Sequence, residues 1–344
     1  MSVGNPTRIQ GLAFGLGSAK QTNISTISPT FNRWRKLNMD VPYLLAHTET
    51  DKDEIGKGNE FITEVFKTNK EPANGRIDKF GSAEFTLWGW AYAMGLTGLS
   101  SGLYTIHALD PGTTIENPYF TVVAQLGAGG GSAIDEAEIG CTVESVETQF
   151  KYGPGRASIR TTVDYVGSGI STLPSGVVLP ATLSESYMLS SSMAISVNGV
   201  DYVSSKMALQ GSMGWKTNAI LPMRYFPGSG TDSDGFQIGG RTFYGNRVPT
   251  LTFTAFLDEN SLEYAKLVAQ TSGTVVLTAT YDSTHYVTWT YPLVTFETVE
   301  RGQEDGIVAV TVTIAPHYDP TVVGGIPNGV LIVSGKCGVS DICQ

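Results

Sequence analysis

Between residues 239 and 316 the chain alternates apolar and hydroxyl-bearing side chains, and this period of two limits its fold more than any other feature. Thr250, Thr252 and Thr254 alternate with Leu251, Phe253 and Ala255, while Val308, Val310, Val312 and Ile314 alternate with Ala309, Thr311 and Thr313. Successive side chains of a strand point to opposite faces, so these are half-buried strands with one dry face and one hydroxylated face. Further strands are expected over residues 274–281 and 286–300. Ahead of them Asn260 is placed to cap a helix, with Glu263 three positions on as in a capping box. Leu262, Ala265, Val268 and Ala269 fall near one side of that helix, and Gly273 can end it.

A weaker copy of the same order precedes it between about residues 60 and 167. It comprises a strand at 61–66, an apolar helix at 82–94, and strands at 104–109, 119–126, 142–150 and 157–166. The best internal match sets "VESVETQFKYGPGRASIRTTVDY", from Val143, beside "FETVERGQEDGIVAVTVTIAPHYD", from Phe296. Duplication is the better account, because a helix also precedes both hairpins; two ordinary hairpins resembling each other by coincidence is the alternative. The helix at 82–94 is apolar on nearly every side. Ala83, Leu87, Trp90, Ala91 and Met94 make one packing side, and Phe85, Trp88 and Tyr92 another. Either two walls of one core or a second subunit must cover it.

At 344 residues the chain holds two domains of ordinary size, and 41% hydrophobic with 16% charged residues is the balance of a soluble globular protein. Its 40 glycines favour sheets and turns. A net charge of −10 argues against a protein that grips duplex DNA through neutralised phosphates. It leaves open a surface that DNA passes without sticking. Arg8, Lys20, Arg33, Arg35 and Lys36 precede the first acidic residue, Asp40, so a basic arm leads into an acidic body. Cys141 reads as a small buried hydrophobe. Cys337 and Cys343 admit a tail disulfide, but no cysteine framework is present and a reducing compartment is expected. Neither a signal-peptide pattern nor a membrane-spanning run is visible.

This gives a division into an arm at 1–39, a first domain at 40–167, a Ser/Thr/Gly-rich linker at 168–192, a second domain at 193–319 and a tail at 320–344 with an edge strand at 330–333. The first domain carries the acidic run Glu49, Asp51, Asp53 and Glu54, and the polar segment 67–74 reads as a surface loop. "GAGGGS" at 127–132 lacks the Lys-Ser/Thr ending of a phosphate loop and reads as a flexible turn. Asn198-Gly199 marks a hairpin, and residues 224–247 a second long loop.

Chemistry finds little support. His47, His107, His285 and His317 are scattered without metal-ligand or hydrolytic spacing. Ser190, Ser191 and Ser192 lack a nucleophile elbow. Asp232 and Asp234 lack the closing Glu of a calcium loop, and the acidic pairs Glu297 with Glu300 and Asp135 with Glu136 select no substrate. No catalytic, cofactor-binding or metal-binding residue is assigned, and an enzyme is not expected.

With these elements assembled, the chain resembles the major tail tube proteins of long-tailed, siphovirus-like bacteriophages. The likeness is strongest over residues 140–316 and rests on "GCTVESVE" at Gly140, "MAISVNGVDY" at Met193, "GWKTN" at Gly214, "GGRTFYGNRVPTLTFTAFLDENSLEYAKL" at Gly239 and the segment from Phe296. The resemblance implies a mainly β fold of β-sandwich or barrel domains with a flanking α-helix, two related domains in tandem. It implies a structural virion protein whose rings, trimeric if the chain is duplicated and otherwise hexameric, stack into a conduit for DNA ejection. Double-stranded DNA would pass transiently and non-specifically, and other tail proteins would meet the tube ends. The expected location is the virion tail, assembled in the host bacterial cytoplasm. The alternatives are a tail terminator, a baseplate or other virion component, or a β-rich carbohydrate-binding or hydrolytic protein.

Overall fold

The computed structural model describes residues 9–17, 32–34, 37–39, 45–50, 65–71, 74–95, 99–100, 103–107, 119–126, 134–152, 158–167, 169–172, 181, 183–202, 208–217, 219–220, 243–244, 247–256, 269, 271–304, 306–323 and 326–339. The first elements are β1 (Ile9–Gly17), β2 (Asn32–Trp34), β3 (Leu37–Met39), β4 (Leu45–Thr50), β5 (Val65–Glu71), β6 (Asn74–Phe80) and the helix α1 (Ala83–Met94). Next come β7 (Leu99–Ser100), β8 (Leu103–His107), β9 (Tyr119–Leu126), β10 (Ile134–Lys151), β11 (Arg160–Val166) and β12 (Gly169–Thr172). After a 3-10 turn at Ser190–Ser192 follow β13 (Met193–Val197), β14 (Val200–Asp201), β15 (Ala208–Lys216), β16 (Ala219–Ile220), β17 (Phe243–Tyr244) and β18 (Val248–Phe256). The last six are β19 (Gly273–Asp282), β20 (His285–Glu304), β21 (Ile307–Pro316), β22 (Asp319–Val323), β23 (Ile326–Gly329) and β24 (Ile332–Lys336). The fold is predominantly β-sheet with one helix packed against the strands.

Two long strands organise the ladders, all antiparallel. The first half of β10 pairs with β9 and β12, and its second half with β11 and β15. The first half of β20 likewise pairs with β19 and β24, and its second half with β21. From β10 the pairing runs outward through β9 to β1 and β2, and through β11 to β6 and β3. From β20 it runs through β19 to β13 and β14, and through β21 to β18 and β15. The two patterns are joined where β15 pairs with β10, while β8, which also pairs with β7, lies beside β24. The outcome is one run of eight strands, β3-β6-β11-β10-β15-β18-β21-β20. The traced ladders branch at β10 and β20 without returning on themselves, so no ladder among the described residues closes a barrel.

The patterns agree residue by residue. Val146 stands opposite Val163, which stands opposite Ile77; Val299 stands opposite Val312, which stands opposite Phe253. Both hairpins carry an extra residue on the long strand, between Val143 and Ser145 and between Phe296 and Thr298. Both long strands carry another where their first halves end: Glu138 and Cys141 face Val122 and Phe120, as Tyr291 and Val294 face Val275 and Gly273. A bulge bends its strand and sharpens the local twist. These coincident bulges let each long strand serve two ladders.

The helix lies inside. Ser82 caps it by accepting from the Phe85 N–H at 3.2 Å, and all twelve residues from Ala83 to Met94 are buried. Trp90 donates through Nε1 to Thr148 Oγ1 at 3.1 Å on β10 and meets Trp289 of β20 edge-on, with ring centroids 6.1 Å apart. Trp88 packs edge-on against Phe120 of β9. A Cβ at Gly89 would come within 2.9 Å of Val163 Cγ2, so this glycine lets the helix approach β11 closely. Both faces are thus covered within the chain.

Several expectations hold. The helix, β9 and the strands β18, β19, β20 and β21 fall where the alternation puts them, and Asn198 (φ 51) and Gly199 (φ 80) form the left-handed pair of a two-residue hairpin. The polar segment at 67–74, expected as a loop, instead contributes to β5 and β6; of the strand expected at 61–66, Val65 and Phe66 lie in β5 and the rest outside the described residues, and β6 is the strand next to the helix. Lys79 hides β6 from a reading by hydrophobicity, because it points inward. The strand expected at 330–333 is β24, flanked by β20 and β8 rather than lying at an edge. Residues 9–39, expected as an arm, supply strands that pair with β9 and β6. The second helix, at 260–268, and the turn at 127–132 lie outside the described residues; Ala269 is helical and exposed.

Lys79 welds the helix start to its surroundings. Its ammonium and the Glu185 carboxylate form a salt bridge with both side chains fully buried, and the ammonium lies 5.5 and 5.3 Å from the Phe85 and Tyr187 ring centroids. Ser82 Oγ and Tyr187 Oη donate to the same carboxylate at 2.9 and 3.2 Å. Backbone bonds from Met188 to Gly81 and from Ala83 to Ser186 fix residues 183–190 across the helix N-terminus, a stretch the sequence suggests as linker. Glu185→Ala strands a buried ammonium and is expected to cost about 3–5 kcal/mol in denaturant unfolding. The paired change Lys79→Met with Glu185→Leu should recover most of that loss; equal losses would refute the pairing account.

Candidate functional site

Along β6, β11, the second half of β10, β15, β18 and β21, every second residue faces the core, leaving the alternate residues on one continuous polar face. Ile77, Val163, Val146, Met213, Phe253 and Val312 point to the helix side and are buried. On the other side Arg160, Gln149, Ser212, Thr252, Thr313 and Thr298 stand in one row, each opposite the next across a ladder. The next row sets Lys151 opposite Gln210, Gln210 opposite Thr254, Thr254 opposite Thr311 and Thr311 opposite Glu300. Thr254 and Thr311 share a hydroxyl hydrogen bond of 3.0 Å. Cross-strand threonine pairs of this kind contribute roughly 0.2–1 kcal/mol each.

This face is concave. An open trough of about 930 Å³ runs over it, lined by Asp78, Phe80, Gln149, Lys151, Arg160, Gln210, Ser212, Thr252, Thr254 and Thr311. Its charges are of both signs rather than uniformly acidic. Arg160 pairs with Asp78, its Nε donating at 3.1 Å, and Arg76 lies 3.7 Å from Asp164, which also accepts from Ser145 Oγ at 2.9 Å. These arginines are engaged by neighbouring aspartates rather than presented together to an anion.

The residues weighed for catalysis do not converge. His317 shares a 2.6 Å hydrogen bond with Thr295, and His285 Nδ1 lies 2.9 Å from Asp282. Hydrogen bonds from Thr284 and His285 hold the exposed Asp282 carboxyl down at about 2. His285 Nε2 also lies 3.8 Å from the buried Glu84, whose carboxyl is raised by burial. Ser190 accepts from the Lys151 N–H, and Ser192 donates to the Leu189 carbonyl. The side chains of His47 and His107, and all of Asp232, Asp234 and Cys343, lie outside the described residues; Cys337 is buried with a free thiol. Among the described residues, no three His, Cys, Asp or Glu stand together as a metal site.

Glu138, which nothing in the sequence singles out, carries a strongly perturbed carboxyl. It is buried under β11, accepts from Tyr165 Oη at 2.9 Å through Oε2, and leaves Oε1 without a hydrogen-bond partner. Burial pushes its pKa up to about 8, against the lowering effect of Tyr165. Its counterpart in the second pattern is Tyr291, a buried hydroxyl donating to the Thr250 carbonyl at 3.2 Å. The raised pKa means that the folded chain holds a proton the unfolded chain releases above about 4.5. Stability should therefore fall as pH rises from about 4.5 to 8, by on the order of 3–5 kcal/mol from this group. Glu138→Gln should flatten that slope in denaturant midpoints measured across the range; an unchanged slope would show that Glu138 is not its source.

No protein-family model matches the chain, and no curated protein matches it.

Proposed function

We propose that the chain is a structural virion protein that polymerises into stacked rings forming a phage tail tube, with the concave polar face of its eight-stranded sheet turned toward the DNA channel. The observation that carries this reading is the head-to-tail joining of two matched ladder patterns. Seven ladders of the first, from β1–β2 to β3–β6, have counterparts in the second with the same orientation. The two bulges in each long strand coincide as well. Residues 9–172 and 193–336 are two copies of one tube-like sandwich domain, and three chains supply the six domains of a ring.

The physical demands of a conduit agree with this face. Hydroxyl rows keep a wall hydrated, and arginines already faced by aspartates give passing phosphates weak purchase. Beyond residue 39 lie all 32 acidic residues, so the body repels duplex DNA at a distance. The hairpins β4–β5 and β16–β17, inserted at the same place in each pattern, are available to reach a neighbouring ring. No enzymatic role is proposed.

The test is cryo-electron microscopy of the purified full chain as its concentration is raised. Regular stacked rings of three chains, with the β18 and β21 threonines on the channel side, are expected. A persistent monomer, or a map with these strands wholly on the exterior, would refute the reading; one isolated ring that never stacks would favour a tail terminator.

A further inference from the structure

We propose that the second half of β20 pairs antiparallel with β3 of a second copy of this chain, in the register that β10 and β15 already use within the chain. The proposal rests on the ring-forming reading above and supplies its joint.

β10 and β20 hold the same place in the two patterns, down to the extra residues at Glu144 and Glu297. β15 and β3 also hold one place, each lying beside the strand, β18 or β6, that pairs with the return strand of the matched hairpin, β21 or β11. Inside the chain the second half of β10 is closed by β15, from Ser145 opposite Lys216 to Lys151 opposite Gln210. Among the described residues no second ladder runs along β20 beyond Thr298, and none runs along the outer side of β3. Among the described residues this joint is used once, and its two complementary halves, at opposite ends of the sheet, carry no corresponding ladder.

Solvated strand edges are templates for pairing, and a protein that keeps two must manage them. A twofold contact would set β3 against β3 or β20 against β20, pairings without precedent in this chain. A head-to-tail contact repeats the pairing that already exists, and it ends in a ring when successive rotations close.

The register follows from matched positions. Lys151 corresponds to Glu304 through the hairpin alignment, and Gln210 corresponds to Asn38, because Gln210 faces Thr254 on β18 as Asn38 faces Asp78 on β6. Glu304 of one chain thus stands opposite Asn38 of the next, and Gln303 opposite Met39.

Cysteines test this in the full-length chain. Directly opposite residues have Cβ atoms about 4.5–5.5 Å apart, close enough for a disulfide after small adjustment. Chains carrying both Asn38→Cys and Glu304→Cys, oxidised after assembly, should yield covalent multimers several-fold above the parent chain with its native cysteines. Equal mixtures of the two single variants should yield covalent dimers and nothing larger, which reports a joint between chains and checks that each variant assembles. Asn38→Cys with Gln303→Cys, one residue out of register, should stay at background. Rings seen by microscopy without this link, or linked through the shifted pair, would overturn the joint while leaving the ring reading standing. Absence of rings would overturn both.

Discussion

A helix without a polar side must be enclosed, and α1 imposes that requirement on everything around it. Trp88, Trp90, Leu87 and Phe85 are each at most 1% exposed, and burying one such side chain is worth roughly 1.5–3 kcal/mol. A single sheet covers one side of a helix. The second wall here comes from β20 and β24, far along the chain, so the helix stands between strands of both patterns. Trp90 touches both walls, through Thr148 on β10 and Trp289 on β20. The first pattern can bury its helix only if the second is in place, so unfolding either wall exposes the same aromatic cluster.

That dependence explains why corresponding positions diverge in chemistry while keeping their geometry. Thr148 and Phe150 lie on the part of β10 sheltered by β15 and are buried, whereas their counterparts Arg301 and Gln303 lie on an outer strand and are exposed. Glu138 and Tyr291 both bring a polar group into the core just before the bulge, but only Glu138 pairs there with a second buried hydroxyl. Geometry is preserved because the bulges set the register of every ladder outward from the long strand, and slipping one residue would send the apolar set to the wet face.

The sequence reveals the second pattern better than the first for a physical reason. In β18 and β21 valines, leucine and phenylalanine hold the inward positions and threonines the outward ones, so period two is visible without a partner. In β6 an inward position is Lys79, tolerable only because Glu185, more than a hundred residues away, meets it. The first half of β10 carries Asp135, Glu136 and Glu138, so the strand is expected only from 142 until the ladders with β9 and β12 are drawn. Residues 183–190 were no more legible, since their bonds to Gly81, Ala83 and Ile159 are single, irregular contacts. The polar face was partly legible, through Thr250, Thr252 and Thr254. Its breadth was not, because the β10–β15 joint is a pairing of two patterns that no local periodicity encodes.

The same joint decides what the polar face can be. A four-stranded sheet from one pattern would present a narrow, twisted strip whose edges invite uncontrolled pairing. Joining two patterns through β10 and β15 doubles the width and aligns the hydroxyl rows, with Gln149 opposite Ser212 and Ser212 opposite Thr252. Each row then crosses the junction without a change of face. A wall built from further copies by the proposed joint would inherit that continuity, because bulges of the same register are present in both long strands. Charges add little to the sheet's cohesion, since the exposed Arg160 and Asp78 pair is largely screened by solvent. The alternation of dry and wet faces does the work, and it survives changes of individual polar residues so long as the inward row stays apolar.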